Sequence, residues 1–485
     1  MTAGRMLVAL AAAGAVACAT GPGPPTGSPA PPDFVLPSPA AGVPGHVLLI
    51  SVAGLGPDAH RETQGMPMLA ALAAGERPVT RLAWTGWAEA GAIGTTPSTT
   101  TPPAARAAHG IGGDHPLGEK GSAPELQREA EAIRVPALWN LTREHGLFSA
   151  AIGWPTSAGA PVDWSFPELI PARAGEASPD LLDGVATPSL LAAAREKGAD
   201  APPFGFPGTA RDQLLVDLAC EVLVGEAAPR LLLLRLSQTE PALRRFGPGT
   251  PEVRAAFAGA DAALRRLAVC LDRAGRLSRS AWLVTGDAPV RPVHTRIQAN
   301  RSLERAGLLV PAPGSRTGIK RWDAFVRGNG GSAFVYARDE EAAVLARRAL
   351  VEAAEATGAF RIVSAEEMIA LQTDRQAWFG LAAQPGFAFA DDLRGRALVR
   401  PAAARGAAGH LGPAEAFPHR TGFVAWGAGI RVGLRVPTMH QLDVAPTVAR
   451  LLGLALPGAE GRALIGLLDV PPVAAGSENE APVVP

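Results

Sequence analysis

The sequence predicts an α/β fold in which a mostly parallel central sheet carries helices on both faces. Continuous apolar runs, with the pattern of strands buried on both sides, recur along the chain, and helical patterns separate them. Such alternation is typical of right-handed β-α-β crossovers. A small α+β insert interrupts this order before the last strand of the sheet, which we expect to be parallel like the others.

Each predicted element has its own apolar pattern. Strands of the sheet are predicted at 47–52, 149–154, 231–236, 281–285 and 422–426. Helices are predicted at 67–76, 135–145, 188–197, 211–225, 251–276 and 442–454. In the insert, strands are predicted at 332–337, 360–363 and 386–390, and helices at 340–357 and 365–371.

The composition excludes several classes of protein. With 485 residues, of which 47% are hydrophobic, the chain has enough apolar content for a sizeable core, and this excludes wholesale disorder. The charge is balanced, with 45 Lys and Arg residues against 45 Asp and Glu residues, so we expect no nucleic-acid partner. The 55 glycines and 46 prolines follow no three-residue period, which excludes collagen and indicates turns and linkers.

The N-terminus has the pattern of an export signal. Arg5 precedes an apolar run that is too short to span a bilayer comfortably. The run ends in Ala15-Val16-Ala17-Cys18, which resembles the lipobox of bacterial lipoproteins and predicts acylation of Cys18. The alternative is ordinary signal cleavage near an Ala-x-Ala site. We therefore expect an exported protein that is lipid-anchored to the bacterial cell envelope.

The domain organisation follows from these patterns. The predicted order is a lipoprotein-type signal peptide at 1–18, a Gly/Pro-rich tether at 19–45, a first core part at 46–295, the α+β insert at 296–405, a second core part at 406–470 and a structure-poor tail at 471–485. Cys220 and Cys270 lie in helical patterns, and we favour buried free thiols over a disulfide between them.

Polar residues follow the predicted strands, and function in parallel sheets gathers at the carboxyl ends of the strands. The segments concerned are 51–58, 95–102, 237–248 and 286–289, with 409–412 and 443–447 late in the chain. Further ordered motifs lie at 136–139, 153–155, 246–248, 292–294, 330–336 and 451–453. Together they resemble the type I phosphodiesterase/nucleotide pyrophosphatase branch of the alkaline phosphatase superfamily, from about residue 46 to about residue 467.

This resemblance implies a two-metal site with a threonine nucleophile, because intact relatives hold two zinc ions at the strand ends. Carried over to this chain, the nucleophile falls on Thr100. The remaining ligands of the first zinc site fall on Asp287, which is retained, and on Ala53 and Ala288, where the ligands are lost. An alanine methyl group has no lone pair to donate to a metal.

The second implied zinc site is also incomplete. Its positions fall on Glu240, Arg244 and His410. Arg244 is a permanent cation without an acceptor atom, so it repels a metal. Neither site closes, and we expect no bound cofactor.

Two functions remain open at this point. The first is a metal-free pseudoenzyme that binds or scaffolds at the envelope, with a phosphorylated small molecule or an envelope component as its ligand. The second is an active hydrolase of phosphodiesters or phosphomonoesters that uses Thr100 with rearranged ligands. The candidates for such replacement ligands are Asp58, His60, His109, Asp114 and His115.

The position of Arg244 suggests a specific hypothesis. Carboxylates gathered without a metal need a counter-charge, since an unpaired buried charge is costly. We expect Arg244 to take the place of a zinc ion, to pair with Glu240 and to reach Asp287 as well. On this hypothesis, Arg244→Ala destabilises the fold by a few kcal/mol, as is usual when one partner of a buried pair is removed (~3–5 kcal/mol).

Overall fold

The structure is a computed structural model of the chain. It describes residues 36–56, 65–74, 83–84, 129–133, 136–168, 182–197, 210–287, 289–316, 318–370, 376–393, 395–407, 421–434, 436, 438–459 and 461–471. Among the predicted site residues, the described ones are Ala53, Glu240, Arg244 and Asp287. Cys18, Thr100, Ala288 and His410 lie outside the described residues, as do the five candidate replacement ligands.

The first part of the chain alternates strands with helices, as the apolar pattern predicts. Its strands are β1 (His46–Val52), β2 (Ala83–Trp84), β3 (Ser149–Ile152), β4 (Trp164–Phe166), β5 (Leu231–Leu236) and β6 (Ser280–Gly286). Its helices are α1 (Pro67–Ala74), α2 (Leu138–Glu144), α3 (Pro188–Glu196), α4 (Ala210–Val224), α5 (Thr239–Phe246) and α6 (Pro251–Arg273). Strands β2 and β4 and helix α5 are additions to the predicted set.

The second part contains the insert and the return to the core. Its strands are β7 (Arg291–Ile297), β8 (Leu309–Pro311), β9 (Ile319–Trp322), β10 (Ala324–Asn329), β11 (Ser332–Ala337), β12 (Phe360–Val363), β13 (Phe379–Ala383), β14 (Gly386–Phe389), β15 (Val399–Pro401), β16 (Gly406–Ala407), β17 (Phe423–Gly427) and β18 (Thr438–Met439). Its helices are α7 (Asn300–Arg305), α8 (Glu340–Thr357), α9 (Ala365–Ala370) and α10 (Val444–Leu451).

The central sheet has six strands in the order β17-β6-β1-β5-β3-β4. Strands β6, β1, β5, β3 and β4 are parallel to one another, which confirms the mostly parallel sheet. The predicted direction of the last strand is wrong, because β17 pairs antiparallel with β6. The amide of Gly286 donates to the carbonyl of Gly422, so the chain re-enters the sheet at the carboxyl end of β6 and has to run back.

Helices cover both faces of this sheet because its strands are apolar on both sides. Val47 and Leu49 of β1 belong to a buried cluster that also contains Trp139 of α2 and Val448 of α10. Alternate side chains such as Ile50 point to the opposite face, where α4 contacts β5 and β3. All six residues of β5 are buried, as expected of a central parallel strand.

Cys220 and Cys270 form a disulfide, so the preference for free thiols is wrong. The two residues lie on α4 and α6, which contact each other along their lengths. Their Cα atoms are 6.2 Å apart, within the range that a disulfide can bridge. The helical pattern of each segment was predicted, but the pairing depends on the packing of two helices far apart in sequence.

The insert begins against the carboxyl edge of the central sheet. Strand β7 pairs with β14, β15 and β16, and the amide of Arg405 donates to the carbonyl of Arg244 in α5. A separate four-stranded antiparallel sheet, β10-β11-β13-β12, follows with α8 beside it. Apolar side chains such as Tyr336, Leu350 and Leu381 form its core. The edge of the central sheet thus lies beside the first strands of the insert.

Candidate functional site

Three parallel strands end close together at the carboxyl edge, and each is followed by a residue of the predicted site. Ala53 follows β1, and its amide donates to the carbonyl of Leu236 at 2.9 Å. Asp287 follows β6, and its Oδ1 accepts the amide of Gly54 at 2.8 Å. Glu240 lies in the first turn of α5, just after β5. The strand order β6-β1-β5 therefore brings these positions together, as the sequence predicts.

Gly54 fixes the turn after β1. Its φ is 67°, in the left-handed region that favours glycine. A Cβ atom there would lie 2.3 Å from Cδ1 of Leu243 in α5. The glycine therefore lets α5 pack directly on the end of β1, which brings Glu240 to the edge.

The buried cation at this edge is Arg235, the second-last residue of strand β5. Its side chain is 2% exposed. One guanidinium nitrogen, Nη2, lies 2.9 Å from Oδ2 of Asp287 and 3.3 Å from Oε2 of Glu240. The other, Nη1, lies 2.7 Å from Oε2 of Glu168. Arg235 thus connects three carboxylates that come from three different parts of the chain.

Arg244 pairs with Glu240 as predicted, but the expected contact between Arg244 and Asp287 is wrong. Its Nη2 lies 2.7 Å from Oε1 of Glu240, and its side chain is 50% exposed. Asp287 takes its guanidinium contact from Arg235 instead. The physical reason is position: Arg244 is one helical turn beyond Glu240 on α5, towards solvent, whereas Arg235 projects from within the sheet.

Glu168 extends the network away from the predicted site. Its Oε1 accepts a hydrogen bond from Nη2 of Arg211 at 2.6 Å, and both side chains are buried. We call the six residues Glu168, Arg211, Arg235, Glu240, Arg244 and Asp287 the strand-end cluster. It contains three carboxylates and three guanidinium groups, so its formal charge is zero without a metal.

Burial and charge act in opposite directions on these carboxyl groups. Burial works to raise the pKa of Glu240, but the guanidinium groups of Arg244 and Arg235 outweigh it and lower that pKa. Burial raises the pKa of Asp287 despite the charge of Arg235. For Arg235 itself, burial alone would lower the pKa, yet Glu168, Asp287 and Glu240 together raise it. The guanidinium therefore stays charged.

Asp212 supports the same edge through the backbone. Its carboxylate accepts the amides of Ser237 at 3.1 Å and Gln238 at 3.4 Å, the two residues between β5 and α5. Burial raises the pKa of Asp212 to about 6. Asp212 thereby holds the turn that connects Arg235 to Glu240.

The described part of the site does not fit a zinc ion. Ala53 has no donor atom, and the carboxylates of Asp287 and Glu240 are occupied by guanidinium groups. Within the described residues, no group of three or more His, Cys, Asp or Glu side chains is arranged to hold a metal. A guanidinium beside each retained carboxylate also repels a cation.

Sequence reasoning missed three members of this cluster: Arg211, Arg235 and Glu168. Arg235 is the single charged residue in the otherwise apolar run 231–236, and a lone charge in a buried strand is a signal that a site lies nearby. Glu168 follows β4, a three-residue strand with too little sequence to be recognised. The first signal was available in the sequence, whereas the second was not.

Comparison with known proteins identifies the fold and the family. The structure resembles murine ectonucleotide pyrophosphatase/phosphodiesterase 5, with 16% identity, a TM-score of 0.60, and coverage of 86% of this chain and 97% of the murine one. An inactive Thr-to-Ala variant of the murine protein in complex with AMP gives 15% identity, a TM-score of 0.60 and the same coverage. The human counterpart gives 14% identity, a TM-score of 0.59 and again the same coverage.

No curated protein matches this chain at a significant level. The sequence model of one family, type I phosphodiesterase / nucleotide pyrophosphatase, matches residues 47–407. That range includes the whole strand-end cluster and the whole insert. The chain therefore belongs to the type I phosphodiesterase / nucleotide pyrophosphatase family.

Proposed function

We propose that this protein is a metal-free pseudoenzyme of its family, which acts as a binding or scaffolding module at the bacterial cell envelope. One observation carries the proposal: the retained carboxylates Asp287 and Glu240 are both paired with Arg235 inside the sheet edge. Two-metal hydrolysis needs carboxylates that are free to hold the ions. Relatives in this family are metal-dependent, so loss of the ligands removes the chemistry while the fold persists.

The ligand we propose is a phosphorylated small molecule or an envelope component. The family resemblance supports the first, since the murine relative was determined in complex with AMP. Binding of this kind does not require a metal if arginine or backbone donors contact the phosphate. The nucleophile position Thr100 is retained in the sequence, so turnover is the outcome that the test has to exclude.

Two measurements on the purified protein test this proposal together. We expect less than stoichiometric zinc by elemental analysis, and no hydrolysis of a nitrophenyl phosphodiester above background. Thr100→Ala should change neither result, and Thr99→Ala is the matched control for a threonine in the same segment. Stoichiometric zinc together with turnover that Thr100→Ala abolishes and Thr99→Ala preserves would contradict the proposal and establish the active hydrolase.

We further propose that Cys18 carries the lipid anchor. The disulfide between Cys220 and Cys270 supports export, because disulfides persist in oxidising compartments such as the periplasm. No helix in the described part of the chain is long and apolar enough to cross a membrane. Cys18→Ser should therefore move the protein from the membrane fraction to the soluble fraction. A variant that stays in the membrane fraction would contradict the anchor.

A further inference from the structure

Arg235 has contacts that a metal ion would otherwise make. Its guanidinium lies between Oε2 of Glu168, Oε2 of Glu240 and Oδ2 of Asp287, at 2.7, 3.3 and 2.9 Å from the nearest nitrogen. These oxygens come from the segment after β4, from α5 and from the end of β6. A single cation thus links three elements that have no covalent connection nearby.

We propose that Arg235 is a built-in cation that replaces a metal ion in balancing this edge, and that neutralising Arg235 turns Glu168, Glu240 and Asp287 into a divalent-cation site. The inference rests on the metal-free state proposed above. It goes further by assigning the replacement to Arg235 and by adding Glu168 as a third carboxylate.

The burial of these groups supports Arg235 rather than Arg244 in this role. The side chains of Arg235, Glu168 and Asp287 are 2%, 3% and 1% exposed. Charges removed from water to this degree are costly unless they are paired. The side chain of Arg244 is 50% exposed, so water already solvates much of its charge. Loss of Arg235 therefore removes the buried cation that the inner oxygens of these carboxylates share, whereas loss of Arg244 removes a charge that water already solvates.

The donor atoms determine which cation would bind. All three are carboxylate oxygens, the ligands that Ca²⁺ prefers and that also suit Mn²⁺, and the described residues add no histidine or cysteine to them. In the native protein, no described group of acidic side chains is arranged to hold a metal. The outer oxygens Oε1 of Glu168 and Oε1 of Glu240 stay with Arg211 and Arg244, so the inner oxygens are the ones released. A smaller, doubly charged ion would draw the oxygens inward once the guanidinium is absent. Water would complete its coordination.

Arg235→Met in the full chain tests this, because methionine keeps much of the side-chain volume and removes the charge. After treatment with a chelator, we expect the Tm of the variant to be roughly 5–15 °C below that of the native protein. Millimolar Ca²⁺ or Mn²⁺ should restore at least about half of this loss, and equilibrium dialysis should show one bound ion. The native protein and the matched control Arg244→Met should show neither effect.

A second substitution identifies the ligands. Glu168→Gln combined with Arg235→Met should bind the ion at least about tenfold more weakly than Arg235→Met, because one charged ligand is lost. If Arg235→Met does not fold without metal, refolding with and without Ca²⁺ replaces the melting experiment. Recovery that depends on Ca²⁺ supports the inference.

Three results would overturn the inference: a folded Arg235→Met variant that binds no ion, equal ion binding by the native protein, or no recovery in any cation. These results are distinct from a failure of the proposed function. Zinc-dependent turnover by the native protein would contradict the pseudoenzyme. If the native protein is inactive and the stability of Arg235→Met does not respond to Ca²⁺ or Mn²⁺, only the proposed role of Arg235 is contradicted.

Discussion

The carboxyl edge of the central sheet and the four-stranded sheet of the insert with its helix α8 differ in how deeply their ion pairs are buried. At the edge, Arg235 and Glu168 form an ion pair with side chains that are 2% and 3% exposed. In the insert, Arg348 and Glu352 of α8 form a pair whose side chains are 79% and 67% exposed. The core beneath α8 consists of apolar residues. Both regions fold, so buried charge is not a requirement of this chain's architecture.

This difference indicates which region of the chain keeps charged side chains that folding does not require. Replacing buried ion pairs with well-packed apolar residues is often neutral or stabilising, so folding alone does not explain why such pairs are kept. Exposed pairs contribute about 0–1 kcal/mol and need no explanation. The buried ion pairs of the strand-end cluster are therefore consistent with the binding site proposed above and are not explained by folding alone.

The prediction with the largest expected effect compares the same substitution, Glu to Gln, in the two regions. Glu168→Gln leaves Arg211 and Arg235 without their shared carboxylate, so we expect a loss of about 3–5 kcal/mol in the free energy of unfolding. Glu352→Gln, the control on α8, should change it by less than about 0.5 kcal/mol. Urea unfolding of both variants measures the difference. Equal effects would show that burial does not distinguish the two pairs.

The predictability of the two regions also differs. In the insert, apolar patterns located β11, α8 and β12 correctly, because each element is defined by its own local sequence. The same holds for β1, β5 and β6 in the core. The predicted direction of β17 is wrong, because the direction depends on where the insert returns the chain to the sheet and not on the strand's own residues.

The site was predictable only in part for a similar reason. The family resemblance brought Glu240 and Asp287 to one edge, and the need for a counter-charge predicted the contact between Arg244 and Glu240. The pairing of Asp287 with Arg235 depends on two strands that flank β1 without touching each other. Which arginine reaches which carboxylate is a matter of tertiary packing. The motif therefore located the site but not its cation.

A second prediction concerns the pH dependence of stability at a buried carboxyl group outside the cluster. Asp261 of α6 lies outside it and accepts the amides of Met68 and Leu69 at the start of α1, at 2.9 and 2.8 Å. Burial raises the pKa of Asp261 from 3.8 to about 6. Because the folded pKa lies above the unfolded value, its contribution to stability is full below about pH 4 and is lost as pH rises through 6.

The measurement is the free energy of unfolding at about pH 5 and about pH 7.5 for the native protein and for Asp261→Asn. The native protein should lose about 1 kcal/mol more than the variant over this interval, because the carboxyl group must ionise while buried. An equal change in both proteins would show that Asp261 does not titrate in this range. Glu366→Gln, at a fully exposed carboxyl on α9, is the control.

The smallest expected effect concerns Arg244 and corrects the estimate made from sequence. A buried Arg244 would cost a few kcal/mol on removal, but its side chain is half exposed and its pair with Glu240 is a helical pair four residues apart. Such pairs contribute about 0.3–0.5 kcal/mol. Arg244→Met should therefore lower the free energy of unfolding by less than about 1 kcal/mol, measured by urea unfolding.

Salt provides the control for this last measurement. An exposed pair is screened by ions, so the difference between the native protein and Arg244→Met should shrink further at high ionic strength. Arg235 already neutralises the inner oxygen of Glu240, which leaves the outer oxygen as the partner of Arg244. A loss of about 3 kcal/mol or more that persists in high salt would show that Arg244, and not Arg235, balances the buried carboxylates.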